Sequence, residues 1–170
     1  MDIHKIPAGD GAPDNFWVMV EIPQGSSVKY ELNKEFGTIM VDRFLHTAMQ
    51  YPFNYGFIPS THAKDGDPVD VLLLSSLPIV PGAMILARPI GLLEMEDEAG
   101  PDNKIIAVPI GKIDPGYEHV EDMDDVPLHT HARIKHFFES YKKLEDGKWV
   151  KTGEFRGIEH AKAEIKDSLG

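Results

Sequence analysis

Asp65-Gly66-Asp67-Pro68-Val69-Asp70 puts three carboxylates within six residues. Carboxylates this close repel one another and raise each other's pKa unless a cation joins them. Gly66 admits backbone angles closed to other residues and Pro68 fixes φ, so the acids sit on a shaped turn. The chain then runs into Val69-Asp70-Val71-Leu72-Leu73-Leu74, a buried strand with one acid near its start. A solvated acidic turn is the plain alternative. The glycine, the proline and the apolar strand favour a hard-cation site held on a rigid edge. Oxygen donors in a chain without cysteine point to magnesium, manganese or calcium before zinc or copper.

Other ionisable residues fall inside strand-like segments. Lys29 and Glu31 are two apart and share one face of a strand. Asp42 and Arg43 end a strand and Tyr55 opens another. Asp97 and Asp102 bound the loop Asp97-Glu98-Ala99-Gly100-Pro101-Asp102, with Lys104 two residues on. Singly, each reads as a solvent-facing charge. Acids interleaved with Lys29, Arg43, Lys104 and Lys142 point to metals plus an anionic ligand, since arginine grips phosphate bidentately and lysine neutralises it. His129 and His131 diverge by about 200° on a helix, so they do not share an ion. His136 is expected at a subunit interface or on the solvent face of its helix. Phe137 and Phe138 read as core, and Tyr141 can pack its ring while exposing its hydroxyl.

The elements that must position these groups read as strands first and helices last. Segments 15–22, 28–32, 38–44, 55–59, 69–74, 83–93 and 104–110 are short apolar or alternating runs separated by turn residues. Their spacing predicts a closed or partly open antiparallel barrel. Residues 132–144 carry Ile134, Phe137, Phe138, Tyr141 and Leu144 at helical steps. Asp124 or Asp125 is the expected cap, with Pro127 in the first turn and Gly147 as the stop. A strand over 148–155 and a second helix marked by Ile158, Ala161, Ile165 and Leu169 follow. No linker divides the chain, so residues 1–170 are expected to form one α+β domain, mainly β.

Composition excludes several classes. The chain has 170 residues and a net charge of −11, which opposes loose attraction to nucleic acid or anionic lipid. Without cysteine there is no disulfide, thiolate zinc site or thiol nucleophile. Residues 1–10 lack a basic-then-apolar leader. No apolar run reaches the roughly 18 residues of a membrane span. A cytoplasmic location is the expectation, with neither nucleic acid nor membrane as partner.

The acidic turn resembles the signature of the soluble family I inorganic pyrophosphatases of prokaryotic type. Glu21-Ile22-Pro23, Lys29-Tyr30-Glu31, Val41-Asp42-Arg43, Tyr51-Pro52-Phe53-Asn54-Tyr55-Gly56, Asp97-Glu98-Ala99-Gly100, and His136-Phe137-Phe138 with Tyr141-Lys142 resemble family segments in the same order. The turn between Glu21 and Lys29 is the one departure. The resemblance implies an OB-like five-stranded antiparallel barrel with additional strands and two helices in the C-terminal region. It implies magnesium-dependent hydrolysis of pyrophosphate to two orthophosphates by direct attack of a metal-activated water. Several magnesium ions would bind per site, with manganese or zinc as substitutes, in a homohexamer. Asp65, Asp70 and Asp102 would bind the activating metals and Asp97 a further one. Asp67 would touch metal and orient or deprotonate the water. Lys29, Arg43, Tyr55, Lys104, Tyr141 and Lys142 would hold phosphoryl oxygens, with Glu21 and Glu31 in support. Valine and aspartate at positions five and six from Asp65 exclude an EF-hand. The rival that remains is a non-catalytic module binding divalent ions or polyphosphate.

Overall fold

The computed structural model describes residues 5–170; positions 1–4 of the segment read for a leader lie outside the described residues. The elements, in chain order, are β1 (Phe16–Ile22), β2 (Val28–Asn33), β3 (Thr38–Phe44), β4 (Asn54–Ile58), β5 (Val69–Leu73), β6 (Met84–Asp97), β7 (Gly100–Pro101), β8 (Lys104–Pro109), α1 (Leu128–Ser140), β9 (Val150–Arg156) and α2 (Ile158–Ser168). Strand β1 is almost wholly buried because both its edges are paired, with β4 on one side and β6 on the other. The order β1-β4-β5-β8-β6 returns to β1, so five strands close into a ring. This is the expected barrel, with one correction to its direction. An odd number of strands cannot alternate all the way round, and the mismatch falls at β5 and β8, which pair in parallel.

Alternate side chains of the ring feed two cores, as the two-residue period of a strand requires. Leu72, Leu74, Ile106 and Val108 pack with Phe137 and Phe138 of α1. Val71, Leu73, Ile105 and Ala107 pack with Ala161 and Ile165 of α2. Gly56 marks the tightest approach in the barrel, since a Cβ there would lie 1.9 Å from the Met19 carbonyl oxygen of β1. The β2–β3 hairpin forms a separate two-stranded sheet.

Three boundaries differ from the sequence expectation. Strand β6 runs on to Asp97 because, past the barrel, its last residues pair with β9. Helix α1 starts and ends four residues earlier than predicted. Asp125 instead accepts hydrogen bonds from Glu121 N and Asp122 N, closing a short 3₁₀ turn over Met123–Asp125. Pro127 is left as the cap of α1, with no side-chain hydrogen bond. Beyond Ser140 the bonding tightens to three-residue turns, Lys143 N to Ser140 O and Glu145 N to Lys142 O. Gly147, at φ +73°, lies in the loop that follows.

Candidate active site

Every site residue singled out in the sequence lines one cleft of about 430 Å³. Three bodies build it. The barrel contributes Glu21 from β1, Tyr55 from β4, the acidic turn leading into β5, Asp97 and Asp102 across the β6–β7 hairpin, and Lys104 from β8. The β2–β3 hairpin brings Lys29, Glu31 and Arg43. The end of α1 brings Tyr141 and Lys142.

The acidic turn is held by its own backbone. Gly66 sits at φ +87°, in the left-handed region that glycine occupies at low cost. Gly66 N donates to Ala63 O at 2.9 Å, and Ala63 N donates to Asp67 O at 2.7 Å. Asp67 N donates to Asp65 Oδ1 at 3.0 Å. At the strand end, Thr61 Oγ1 accepts from Val69 N at 2.9 Å and donates to Ile58 O at 2.6 Å. These bonds fix Asp65 and Asp70 against the barrel. The Asp67 side chain stays 73% exposed, with Lys34 Nζ 3.2 Å from its Oδ1.

Lys104 is the centre of the acidic half. Its side chain is 4% exposed, yet its ammonium donates to Asp70 Oδ2 and Asp102 Oδ1, each at 2.7 Å. Burial works against that charge, but the two carboxylates outweigh it and push the Lys104 pKa up. Burial raises the pKa of Asp102; Lys104 opposes the rise, while Asp70 and Asp97 add to it. Burial likewise raises Glu21 to about 7, against a hydrogen bond from Leu32 N at 2.9 Å. The Lys104 ammonium also lies 5.6 Å from the centre of the Tyr55 ring.

The bases of the other half are already paired. Lys29 lies 3.2 Å from Asp42 and 3.8 Å from Glu31, so the shared strand face inferred from spacing is real. Arg43 Nη1 bonds Asp42 and its Nε lies 3.0 Å from Glu145. Lys142 pairs with Asp97 at 3.3 Å. Tyr141 stacks on Phe137 with ring centroids 5.0 Å apart and so keeps its hydroxyl end on the cleft. Burial pushes its hydroxyl pKa up, so it is a hydrogen-bond donor at neutral pH.

Among the described residues, no three acidic or histidine side chains converge closely enough to hold an ion unaided. The donor set nevertheless fits magnesium. It is all oxygen, and Asp65, Asp70 and Asp102 line both the cleft and a recess of about 30 Å³ beside it. Burial, reinforced by the neighbouring Asp70, holds the carboxyl groups of Glu21 and Asp102 above their ordinary pKa, a cost that a cation bound beside them would offset. Magnesium binds through one or two carboxylates and keeps several waters, so it does not need a closed cage. The histidines form no such group: His131 Nε2 is 2.9 Å from Met123 O, and His129 and His136 are exposed.

Lys34, Glu145 and Lys148 also line the cleft and were not singled out by the sequence. Lys34 lies in the β2–β3 turn and Glu145 and Lys148 in the loop after α1, where charges ordinarily face water. Their only signal was closeness in sequence to Glu31 and Lys142.

The family model described as inorganic pyrophosphatase matches residues 18–170. An inorganic pyrophosphatase of Aquifex pyrophilus is 55% identical over 169 residues, covering 99% of this chain and 96% of that one. The protein of the same name from Aeropyrum pernix is 53% identical over 165 residues, covering 97% and 94%. Among solved structures, the inorganic pyrophosphatase of Thermus thermophilus superposes with a TM-score of 0.96 at 44% identity, over 99% of this chain and 97% of that one.

Proposed function

This chain belongs to the inorganic pyrophosphatase family, and we propose that its cleft hydrolyses pyrophosphate with magnesium by direct attack of water. One observation carries the reading: the carboxylates Asp65, Asp70, Asp97 and Asp102 and the bases Lys29, Arg43, Lys104 and Lys142 line a single cleft. Asp65, Asp70 and Asp102 would hold the activating ions, and Asp97 a further ion arriving with substrate. When bound, those ions neutralise charge on the anhydride and lower the pKa of a coordinated water.

The chain's own groups do the rest. Asp67, exposed on its turn and held at Oδ1 by Lys34, has Oδ2 free to take a proton from the attacking water. Glu21 and Glu31 flank this side. Arg43, Lys29 and Lys142 grip phosphoryl oxygens by exchanging part of their carboxylate contacts for the substrate. Lys104, Tyr55 and Tyr141 donate to the oxygens on which charge develops as the anhydride bond breaks, and the aromatic packing fixes the tyrosines beforehand. No group on the chain is phosphorylated. Manganese or zinc in place of magnesium, a homohexamer and a cytoplasmic location belong to the same proposal, the hexamer being consistent with exposed Leu77, Val80 and Leu128.

Purified protein given magnesium and pyrophosphate should release two phosphates per substrate. In ¹⁸O-water one solvent oxygen should enter the products per bond cleaved. No turnover at any magnesium level would end the enzyme reading, and a trapped phosphoaspartate would end direct attack.

A further inference from the structure

Glu145 lies in the turn after α1, three residues past Lys142, with its side chain only 10% exposed against the wall of the cleft. Its Oε1 is 3.0 Å from Arg43 Nε. The contact is one of charge, not an aligned hydrogen bond: both Arg43 Nε and Glu145 Oε2 are buried without a hydrogen-bond partner. Asp42 holds the same guanidinium at Nη1. A buried acid kept in such a setting adds little net stability, because desolvation offsets most of the attraction.

Its effect is geometric. A guanidinium is a planar fork of five N–H donors. One contact at Nη1 leaves the plane free to swing about the long arginine stem, whereas a second contact at Nε fixes it. With Glu145 on the Nε side and Asp42 on Nη1, the Nη2 edge is the part left to face an anion. A second link joins the same two segments, since Thr47 Oγ1, just beyond β3, donates to Tyr141 O at 3.5 Å. The turn that presents Tyr141 and Lys142 is thereby tied to the strand that presents Arg43.

We propose that Glu145 is a positioning residue for pyrophosphate hydrolysis: it sets the plane of the Arg43 guanidinium and registers it with Tyr141 and Lys142, so that the three meet one phosphate together. The proposal rests on the reading that Arg43 holds phosphoryl oxygens. It differs from a structural role in what Glu145→Gln should do, because that change keeps the shape and removes the charge.

The experiment measures kcat, KM for magnesium pyrophosphate and the thermal midpoint for Glu145→Gln, Glu145→Asp, Arg43→Gln and the double variant Glu145→Gln/Arg43→Gln. Glu145→Gln should raise KM on the order of tenfold, the size of one charge-assisted contact, with the midpoint held. Glu145→Asp should recover part of that loss. Adding Glu145→Gln to Arg43→Gln should change KM no further. A wild-type KM in Glu145→Gln, or single effects that multiply in the double variant, would overturn the proposal while leaving the role of Arg43 standing. Wild-type kinetics in Arg43→Gln would overturn the premise and the proposal with it.

Discussion

Replacing Lys104 by methionine keeps an unbranched side chain one atom shorter and removes the ammonium that Asp70 and Asp102 share. Each carboxylate oxygen is 2.7 Å from Nζ, so the two oxygens lie at most about 5.4 Å apart. Two negative charges at that separation repel by roughly 3 kcal/mol at an effective dielectric of about 20. Breaking a buried pair by removing one partner costs about 3–5 kcal/mol. Asp70 and Asp102 keep 30% and 24% of their side-chain surface, which favours the lower end. At about 2–4 °C per kcal/mol for a domain of this size, the metal-free variant should melt about 10 °C below the parent.

Two conditions should narrow that gap. Asp102 is already pushed up by burial and would rise further without Lys104, so its folded-state pKa would stand above its unfolded value. Stability linked to that proton is present at low pH and lost as pH rises through the folded pKa, so acidification should narrow the gap. Magnesium held by the same carboxylates in the folded form would neutralise them, so it should narrow the gap as well. Turnover should stay low throughout, since the donor proposed for the developing charge is gone. Circular-dichroism melts in EDTA and in magnesium, at neutral and mildly acid pH, measure all of this. An unchanged midpoint in EDTA, or a gap that widens with magnesium, would refute the reasoning.

Asp67→Asn should lower kcat by about 10²–10⁴-fold while the melting point barely moves, because the exposed Lys34 pair is worth at most about 1 kcal/mol; near-normal rates would assign the base elsewhere. In metal-free protein Glu21, at about 7 against an ordinary 4.5, binds its proton more tightly folded than unfolded. Its contribution is therefore complete below pH 4.5 and lost as pH rises through 7, roughly 3 kcal/mol in all; urea titrations in EDTA should show this slope flattened in Glu21→Gln, and an identical slope would refute it. Gly56→Ala should destabilise the barrel by several kcal/mol or prevent folding, as a Cβ 1.9 Å from the Met19 carbonyl forces β1 and β4 apart; a melt like the parent's would count against the close approach.

The acidic turn was legible because its chemistry is local: three acids, a glycine and a proline on one edge. Lys29 and Glu31 were legible because strand spacing alone fixes their common face. What escaped depends on pairing between distant segments. Leu93-Glu94-Met95-Glu96 alternates for too few residues among too many acids to mark a strand by itself, and becomes one because β9 supplies the partner edge. The parallel pairing of β5 with β8 follows from ring closure, which no single segment encodes. Asp125 has the chemistry of a helix cap, yet its carboxylate is spent on Glu121 N and Asp122 N. Glu145 escaped for a similar reason: its partner Arg43 arrives from β3, far away in the chain.

The pairing pattern also constrains how the cleft can receive an anion. Lys29 and Arg43 share Asp42, Arg43 also meets Glu145, Lys142 meets Asp97, and Lys104 meets Asp70 and Asp102. Acids outnumber bases along the cleft wall, so the bases present little unspent positive charge to a bare pyrophosphate. A polyanion entering alone would compete with carboxylates that are tethered in place, and would meet repulsion from Asp65, Asp67 and Asp70. On the proposed function, divalent cations held by these carboxylates would reverse this balance, leaving Lys104 and Lys142 available to phosphoryl oxygens. The acidic half and the basic half are therefore coupled through their shared ion pairs, so on the proposed function substrate recognition would depend on cations even at residues that touch none.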